Sequence, residues 1–280
     1  MLTLQGSVKN MGRLPFSNSS ILGSTISISL ILLCWASAAR AELPAYNTQI
    51  PTVFSGKLQK FTAPGAGDFN IYVSGPENAK AALVMIHEWW GLNPHIKGLA
   101  DDLGKLGYRT YAVDLYNGKL TDNADTATMY MKMDDPDKSM AKLRAAITEA
   151  AKNHGKVATI GWCFGGGWSL KASLAEPEKV NATVIYYGAL VSDPAELKKL
   201  TGPVLGIFGT QDKWITPESV EAFKEGLATA KVENIIKSYD ADHAFANPSG
   251  ARFKEEPAQD AWRTTLEFLA VHLLGQKKAK

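Results

Sequence analysis

The strongest indication of the fold is the stretch Thr159-Ile160-Gly161-Trp162-Cys163-Phe164-Gly165-Gly166-Gly167-Trp168. The apolar run Val157–Ile160 leads into it, and a helix-compatible segment, Ser169–Ala172, follows it. Glycines stand two positions before and two positions after Cys163. A strand that turns sharply into a helix needs such small flanks, because the residue at the apex adopts strained backbone angles. The pattern therefore predicts one sulfur raised at the end of a sheet, beside a helix N-terminus that favours negative charge.

Apolar runs and helical periodicity alternate along the remainder of the chain. Strands are predicted at Lys57–Thr62, Phe69–Val73, Ala81–His87, Arg109–Leu115, Val157–Trp162, Ala182–Tyr187, Pro203–Phe208 and Glu233–Tyr239. Helices are predicted at Ile96–Leu106, Asp137–Asn153, Pro217–Ala230 and Ala258–Leu274, after an irregular leader, Glu42–Pro51. Such alternation is typical of βαβ units, so we expect an α/β fold with a mainly parallel central sheet and helices on both faces.

Two further strand ends carry side chains that suit a nucleophilic cysteine. Asp212 follows the strand ending at Phe208, and His243 follows the strand ending at Tyr239. Functional groups of parallel sheets gather beyond the carboxyl ends of the strands. A thiol needs a base to accept its proton, and the imidazole needs a carboxylate to fix its tautomer. The order Cys163, Asp212, His243 is that of the α/β-hydrolase fold. The alternative is that Asp212 only stabilises a turn and that His243 is a loop histidine with a purely structural hydrogen bond.

The segment His87-Glu88-Trp89-Trp90-Gly91 ends a predicted strand just before the first predicted helix. In this fold the loop here supplies one backbone N–H of an oxyanion hole, and the residue after the nucleophile supplies the other. The candidate donors are therefore the N–H groups of Trp89 and Phe164. Glu88 is unusual here, since a buried carboxylate near a thiol is able to take its proton, or to hold it until substrate arrives.

His87 and Glu88 also resemble the start of a zinc-binding HExxH helix, but no second histidine follows and the pair ends a strand. Three further histidines, His95, His154 and His272, lie at predicted helix or loop positions without ligand spacing. We therefore expect neither a metal nor another cofactor.

The first 41 residues have the three-part pattern of a secretory signal peptide. Lys9 and Arg13 are the only charges before a mostly apolar run, Ile21–Trp35, and Ala36–Ala41 offers small-residue cleavage sites. A membrane anchor and a disordered tail are the alternatives, but the apolar run is short and interrupted by serine. We expect residues 1–41 to be removed on export to the periplasm or the medium. Residues 42–280 then form a single domain without stable membrane insertion.

Charge gives no indication of nucleic-acid binding. Removing Lys9, Arg13 and Arg40 with the signal leaves 27 of the 30 basic residues against 28 acidic ones. The formal charge of +2 for the whole chain thus becomes about −1 for the exported part. The mild basicity belongs to the export signal, and no nucleic-acid partner is expected.

Cysteine usage also singles out Cys163. The chain has 2 cysteines, and if Cys34 leaves with the signal, Cys163 is the only one in the exported protein. A lone thiol has no internal disulfide partner and is open to oxidation in an oxidising compartment. A buried cysteine acting as a small apolar residue is the alternative, but the tight Gly-x-Cys-x-Gly turn favours a functional thiol.

From about Lys57 to Leu274 the chain resembles the dienelactone hydrolase family of α/β-hydrolases. The resemblance rests on five motifs: His87-Glu88-Trp89-Trp90-Gly91-Leu92-Asn93, Asp114-Leu115-Tyr116, Gly161-Trp162-Cys163-Phe164-Gly165-Gly166, Gly209-Thr210-Gln211-Asp212 and His243-Ala244-Phe245. It implies a Cys163–His243–Asp212 triad, with Glu88 paired to the thiol at rest and releasing it as substrate binds. It also implies thiolate attack on an ester or lactone carbonyl, followed by hydrolysis of the thioester by water that His243 assists.

The carboxylate clamp of the best-studied family members is missing from this chain. Those members bind the substrate carboxylate with two arginines, one in the helical region after the Asp-Leu-Tyr strand and one four residues past the catalytic histidine. The second position here is Asn247, and residues 120–140 contain no arginine. Positive charge is offered instead by Lys119, Lys132 and Lys213, which lack the planar fork of arginine. The dienelactone itself is therefore not the expected substrate.

The expected activity is that of an exported, monomeric, cysteine-dependent hydrolase that acts on small ester or lactone molecules. Its substrate pocket is expected to include Trp90, Tyr116, Trp214 and Asn247. The alternative is that the aromatic residues among them pack in the core or at its rim and have no role in binding. Two other hypotheses stay open. One is an exported binding or redox-sensing protein with weak turnover, and the other is a different carbon-centred reaction on the same scaffold.

Overall fold

An eight-stranded sheet runs through the part of the chain that the computed structural model describes, residues 43–277. Its strands are β1 (Lys57–Ala63), β2 (Gly67–Ser74), β3 (Ala81–Ile86), β4 (Arg109–Val113), β5 (Lys156–Trp162), β6 (Ala182–Tyr186), β7 (Val204–Gly209) and β8 (Asn234–Tyr239). They lie in the order β1-β2-β4-β3-β5-β6-β7-β8. Strands β3 to β8 pair in parallel, whereas β1 and β2 pair antiparallel. The predicted parallel sheet is confirmed, while the predicted signal peptide, residues 1–41, lies outside the described residues.

Seven helices are found in residues 43–277. They are α1 (Pro94–Lys105), α2 (Ala124–Met133), α3 (Pro136–Asn153), α4 (Phe164–Ala175), α5 (Pro194–Leu197), α6 (Pro217–Ala230) and α7 (Glu255–Leu274). Helices α2 and α5 have no counterpart in the predicted set. The physical reason is that α2 buries only Ala127 and keeps its other side chains partly or fully exposed, and that α5 is a single turn.

The residues of β3 show how the sheet divides the core. All of β3 is buried, as expected for a strand covered on both faces. Leu83 and Met85 pack with α1 and α7, while Val84 and Ile86 point to the opposite face and pack with α3. The predicted helices on both faces are therefore confirmed. In residues 43–277, every helix is too short or too polar to cross a membrane.

A sharp turn between β5 and α4 carries Cys163. This residue has a φ of 54°, a left-handed value that side chains other than glycine rarely adopt, and α4 begins directly after it. A side chain at Gly161 would collide with the carbonyl of Gly165, and one at Gly165 would collide with the carbonyls that end β3. Glycine at these two positions lets the first turn of α4 lie directly against β3. Cys163 is thereby brought close to the loop that follows β3.

Candidate active site

Three strand ends meet at one place and form a chain of hydrogen bonds. Cys163 follows β5, Asp212 follows β7 and His243 follows β8. The Sγ atom of Cys163 lies 3.1 Å from Nε2 of His243, and Nδ1 of His243 lies 2.6 Å from Oδ2 of Asp212. The fold therefore brings together the three residues that were singled out by their order at strand ends.

Asp212 is held in one orientation by the backbone that follows it. Its Oδ1 accepts hydrogen bonds from the backbone N–H groups of Trp214 and Ile215, at 2.8 and 3.0 Å, which leaves Oδ2 facing His243. Burial alone would raise the pKa of Asp212, but the bonds from His243 and from the two N–H groups lower the pKa below its usual value. Because this carboxylate accepts the Nδ1–H of His243, we assign the free lone pair of the imidazole to Nε2, which faces the sulfur.

The sulfur of Cys163 rests as a thiol. Burial, and after it the negative charge of Glu88, raises the pKa of the Cys163 thiol to about 12. The backbone N–H groups of Phe164 and Trp89 bond to the sulfur and partly offset this rise in pKa. Both donors predicted for an oxyanion hole thus lie beside the sulfur, and burial outweighs the favourable helix N-terminus.

Glu88 is buried beside the thiol. Its Oε2 accepts a hydrogen bond from Nδ2 of Asn247, and its Oε1 has no hydrogen-bond partner within residues 43–277. Burial raises the pKa of Glu88 to about 8, opposed by the bond from Asn247, so the carboxyl keeps its proton at pH 7. The family resemblance implies that Glu88 pairs with the thiol at rest. In the structure the thiol bonds to His243 instead, and Glu88 bonds to Asn247.

We expect Glu88 to make the protein less stable as the pH rises from 6.5 to 8.5. In the unfolded chain this carboxyl ionises at its ordinary pKa of 4.5, whereas in the folded protein its pKa is about 8. The folded state therefore binds the extra proton, and the resulting stability is fully present below pH 4.5 and lost as the pH rises to 8. Between pH 6.5 and 8 the loss is about 2 kcal/mol. Buried His95, whose pKa burial lowers from 6.5 to about 4, acts mainly below this window, and its effect cancels when the wild type is compared with Glu88→Gln.

Urea unfolding of the wild type and of Glu88→Gln at the two pH values measures this effect. The difference in unfolding free energy between the two proteins should change by about 2 kcal/mol across the window. An exposed control, Glu221→Gln, should follow the wild type at both pH values. A wild-type-minus-Glu88→Gln difference that is the same at pH 6.5 and 8.5 would show that Glu88 is ionised throughout.

A cavity of about 610 Å³ opens onto Cys163. It is walled mainly by large apolar side chains, which include Trp89, Trp90, Met131, Phe164, Trp168, Tyr187, Trp214 and Ile215. Of the predicted pocket residues, Trp90, Trp214 and Asn247 lie in this lining. The indole of Trp214 also meets the imidazole of His243 edge-on, with ring centroids 5.1 Å apart. Most of the predicted pocket is therefore present.

Tyr116 is the exception, and its assignment to the pocket is wrong. Its ring packs 5.4 Å from that of Phe164 and 4.8 Å from that of His87, centroid to centroid. Its hydroxyl is buried without a partner among the described residues, and Tyr116 borders a separate cavity of about 190 Å³. Phe164 forms the wall of the larger cavity and Tyr116 stacks behind it.

Several lining residues have no place in the predicted site, among them Tyr187, Trp168 and Met131. Tyr187 stands directly after β6, so its position at a strand end was a usable signal. Trp168 lies on α4, five residues after Cys163. At that distance along a helix, the sequence alone does not tell whether the side chain points toward the cavity. Met131 lies on α2, a helix that buries only Ala127 and was not predicted. Only the packing of α2 beside the cavity identifies Met131.

Among the described residues, Lys171 and Arg252 are the lysine and arginine side chains that line the cavity. The Nζ of Lys171 lies 4.9 Å from the ring centre of Trp168, and the guanidinium of Arg252 lies 4.9 Å from that of Trp214. Cation–π contacts thus hold both charges against tryptophan faces. The charges suggested from sequence are not in the lining: Lys119, Lys132 and Lys213.

His87 has a structural role. Its Nε2 accepts a hydrogen bond from the backbone N–H of Leu115 at 3.2 Å, and its Nδ1 donates to the carbonyl of Glu88 at 2.6 Å. Both ring nitrogens are therefore used to tie the loop after β3 to the end of β4. Within residues 43–277, no group of three or more His, Cys, Asp or Glu side chains is arranged to hold a metal ion.

Comparison with known proteins places this site in a family. The sequence profile of the dienelactone hydrolase family matches residues 69–273. A Salmonella typhimurium protein named "Putative carboxymethylenebutenolidase" is 31% identical over 263 residues, which cover 86% of this chain and 96% of that protein. A Saccharolobus solfataricus protein of the same name is 28% identical over 242 residues, which cover 71% of this chain and 92% of that one.

A solved structure has the same fold. The crystal structure titled "Putative Dienelactone Hydrolase" from Klebsiella pneumoniae superposes with a TM-score of 0.67 at 25% identity. The superposition covers 80% of this chain and 100% of that one. The profile match spans most of an α/β-hydrolase fold whose strand ends carry Cys163, Asp212 and His243. The chain is therefore a hydrolase that belongs to the dienelactone hydrolase family.

Proposed function

We propose that the protein hydrolyses carboxylic esters or lactones through a thioester on Cys163, with His243 and Asp212 completing a catalytic triad. The observation that carries the proposal is the hydrogen-bonded chain from Sγ through the imidazole to Asp212, with distances of 3.1 and 2.6 Å. This chain lies at a strained turn that faces a cavity of about 610 Å³. Family membership supports the hydrolase class, and the geometry supports the choice of nucleophile.

Acylation starts from the neutral thiol. The Nε2 of His243 accepts the proton of the thiol as Sγ attacks the carbonyl carbon, and Asp212 stabilises the imidazolium that forms. The carbonyl π electrons move onto oxygen, where the N–H groups of Trp89 and Phe164 stabilise the oxyanion. The imidazolium then gives its proton to the leaving alkoxide oxygen as the C–O bond breaks. The acyl group remains on the sulfur as a thioester.

Deacylation uses the same imidazole in the opposite sense. Neutral His243 takes a proton from water while the water oxygen adds to the thioester carbonyl. The tetrahedral intermediate collapses, the C–S bond breaks, and the sulfur recovers its proton from the imidazolium. The products are a carboxylic acid and an alcohol, or one hydroxy acid when the substrate is a lactone.

We assign Glu88 the role of keeping the thiol protonated at pH values above about 8, where the Glu88 carboxyl is ionised. Its negative charge, once formed, raises the pKa of the Cys163 thiol further. Oxidation proceeds through the thiolate, so a thiol kept protonated is protected. This protection suits the only cysteine of residues 43–277 if the protein works in an oxidising compartment.

The cavity favours an apolar, aromatic acyl or alcohol group next to the sulfur. Its walls there are tryptophan and phenylalanine, and Asn247, at the position of a family arginine, is occupied by Glu88. The charges of Lys171 and Arg252 lie on exposed side chains. A substrate carboxylate, where there is one, would therefore bind at the mouth of the cavity. We propose aryl esters or aryl lactones as the substrate class.

Export and a monomeric state are part of the same proposal. The signal pattern in residues 1–41 supports export to the periplasm or the medium. We expect the signal to be cleaved at one of the sites within residues 36–41. Mass spectrometry of protein recovered from outside the cytoplasm measures this cleavage. Light scattering after size-exclusion chromatography should give the mass of one chain. Cytoplasmic protein with an intact N-terminus would contradict export.

Rapid-quench mass spectrometry tests the proposed chemistry. The processed protein should turn over p-nitrophenyl acetate and, with a higher kcat/KM, p-nitrophenyl phenylacetate. An acyl adduct should appear on the peptide that carries Cys163 and disappear with hydroxylamine. Turnover without any adduct on Cys163 would exclude this nucleophile. An absence of turnover with every ester, together with an alkylation-resistant thiol, would favour the binding or redox-sensing alternative.

A further inference from the structure

We propose that Tyr46 is a positioning residue that holds the loop His243–Asn247 in place, so that the segment before β1 is a working part of the active site. Residues 43–56 are called the N-terminal arm. The arm has no regular secondary structure and contributes no residue to the cavity lining. Its contacts nevertheless lead to the catalytic histidine.

The N-terminal arm lies along α1. The backbone N–H groups of Ser55 and Gly56 donate to the carboxylate of Asp101, at 2.8 and 3.1 Å. Farther back along the arm, Pro51 packs so closely on Gly98 that a Cβ there would lie 2.7 Å from the Cγ of Pro51. Gly98 and Asp101 are three residues apart and therefore lie on the same face of α1, so the arm follows that face.

Tyr46 is buried, although its two neighbours in the arm are exposed. Its backbone N–H donates to Oε1 of Gln259 at 2.7 Å, and Nε2 of Gln259 donates back to its carbonyl at 2.9 Å. Its ring packs on Trp262, with centroids 5.3 Å apart. His95 of α1 lies 3.3 Å from its hydroxyl, and burial lowers the pKa of His95 to about 4, so this junction is uncharged at neutral pH. Tyr46 is thereby fixed against both α1 and α7.

The hydroxyl of Tyr46 reaches the loop that carries the catalytic histidine. It donates a hydrogen bond of 2.7 Å to the carbonyl of Ala246. Ala246 stands three residues after His243 and directly before Asn247, whose side chain bonds to Glu88. The negative charge of Glu88 is one of the causes that, after burial, raise the pKa of Tyr46. One hydroxyl therefore anchors the backbone that positions both the imidazole and the partner of Glu88.

Loss of this hydroxyl should loosen Asn247 without removing a cavity wall. The carbonyl of Ala246 would lose a buried donor, and a second layer of contacts orients catalytic groups in the same way as it orients metal ligands. The bond from Asn247 lowers the pKa of Glu88, so a weaker bond raises it. Three titratable groups near Glu88 keep their protons below pH 9, because burial raises the pKa of each: Tyr46, Cys163 and Tyr187. Adjacent His87 is uncharged in this range, because burial lowers its pKa below the usual value.

Tyr46→Phe removes the hydroxyl and keeps the ring. The matched control is Tyr111→Phe, which removes a buried hydroxyl 3.0 Å from Nε2 of His154, away from the site. Alkylation of Cys163 by iodoacetamide, followed from pH 6 to 10, reports the ionisation of Glu88 as a step in the rate. In Tyr46→Phe this step should move about half to one pH unit higher, and kcat should fall about two- to tenfold with KM unchanged. Tyr111→Phe should keep the wild-type step and kcat.

The kcat readout rests on the proposed function, but the alkylation readout does not. A wild type without ester turnover would refute the proposed function, and the position of the alkylation step would still decide the role of Tyr46. If the alkylation step moved equally in Tyr46→Phe and Tyr111→Phe, the hydroxyl of Tyr46 would contribute only to general stability. This result would overturn the inference. A Tyr46→Phe protein with the wild-type alkylation profile would overturn it as well.

Discussion

Replacement of Cys163 by alanine should lower the turnover of aryl esters at least about 10⁴-fold. Without the sulfur no thioester forms, and the oxyanion donors alone contribute only the residual rate. Release of p-nitrophenolate measures the loss, and intact-mass analysis shows whether the acyl adduct is gone. The alanine variant should stay folded, because alanine meets the φ of 54° with no more strain than cysteine does.

Two further proteins make this result specific. Cys163→Ser keeps a hydrogen-bonding group beside His243 but exchanges a polarisable sulfur for an alcohol that is harder to deprotonate, so it should be folded and far less active than the wild type. Ser192→Ala, an exposed change of similar size, should have wild-type activity. An alanine variant within tenfold of the wild type would rule out Cys163 as the nucleophile.

Asp212→Asn should lower kcat about 10³- to 10⁴-fold and leave KM nearly unchanged. The N–H groups of Trp214 and Ile215 bind Oδ1, so the asparagine carbonyl must take that place and its NH₂ group must face Nδ1 of His243. Because Nδ1 then has to accept, the ring proton moves to Nε2, and the imidazole no longer accepts the proton of the thiol. The loss therefore comes from the wrong tautomer in a site whose shape is unchanged.

Steady-state kinetics of Asp212→Asn beside Asp240→Asn checks this explanation. Asp240 lies three residues before His243 and is exposed. Its carboxylate accepts a hydrogen bond from the side chain of Gln211. Its conversion to the amide should leave kcat within about twofold of the wild type. Equal losses in both variants would mean that loop structure, and not the tautomer of His243, accounts for the effect.

Local rules account for the parts of the fold that were correctly predicted. Gly161 marks the turn at Cys163 because a side chain there would collide with the backbone of Gly165 and Gly166, and this collision depends only on residues close in sequence. The buried strands could be recognised because a strand covered on both faces must be continuously apolar, as β3 is. Asp212 and His243 could be found because parallel strands all end at the same edge of the sheet.

The errors have a different origin. Helix α2 buries only Ala127, so it depends on its Asn123 cap and on packing, and a single buried position is too little to predict a helix. Tyr116 follows a strand end, as a pocket residue should, but Phe164 separates it from the cavity. The N-terminal arm has no periodicity at all, and its role depends on contacts with residues about 200 positions away, such as Ala246.

Composition and short-range pattern were enough to predict an α/β-hydrolase fold, with Cys163, Asp212 and His243 at strand ends in the order typical of that fold, because strand ends, turns and buried runs are local properties of a chain. The protonation of Cys163 and Glu88 belongs to the folded molecule. The pKa of each group rises because packing from distant segments removes water, and because Asn247 stands against Glu88 where a cation would have lowered its pKa more strongly. Desolvation and long-range pairing exist only once the chain has folded, and they set the resting state of this active site.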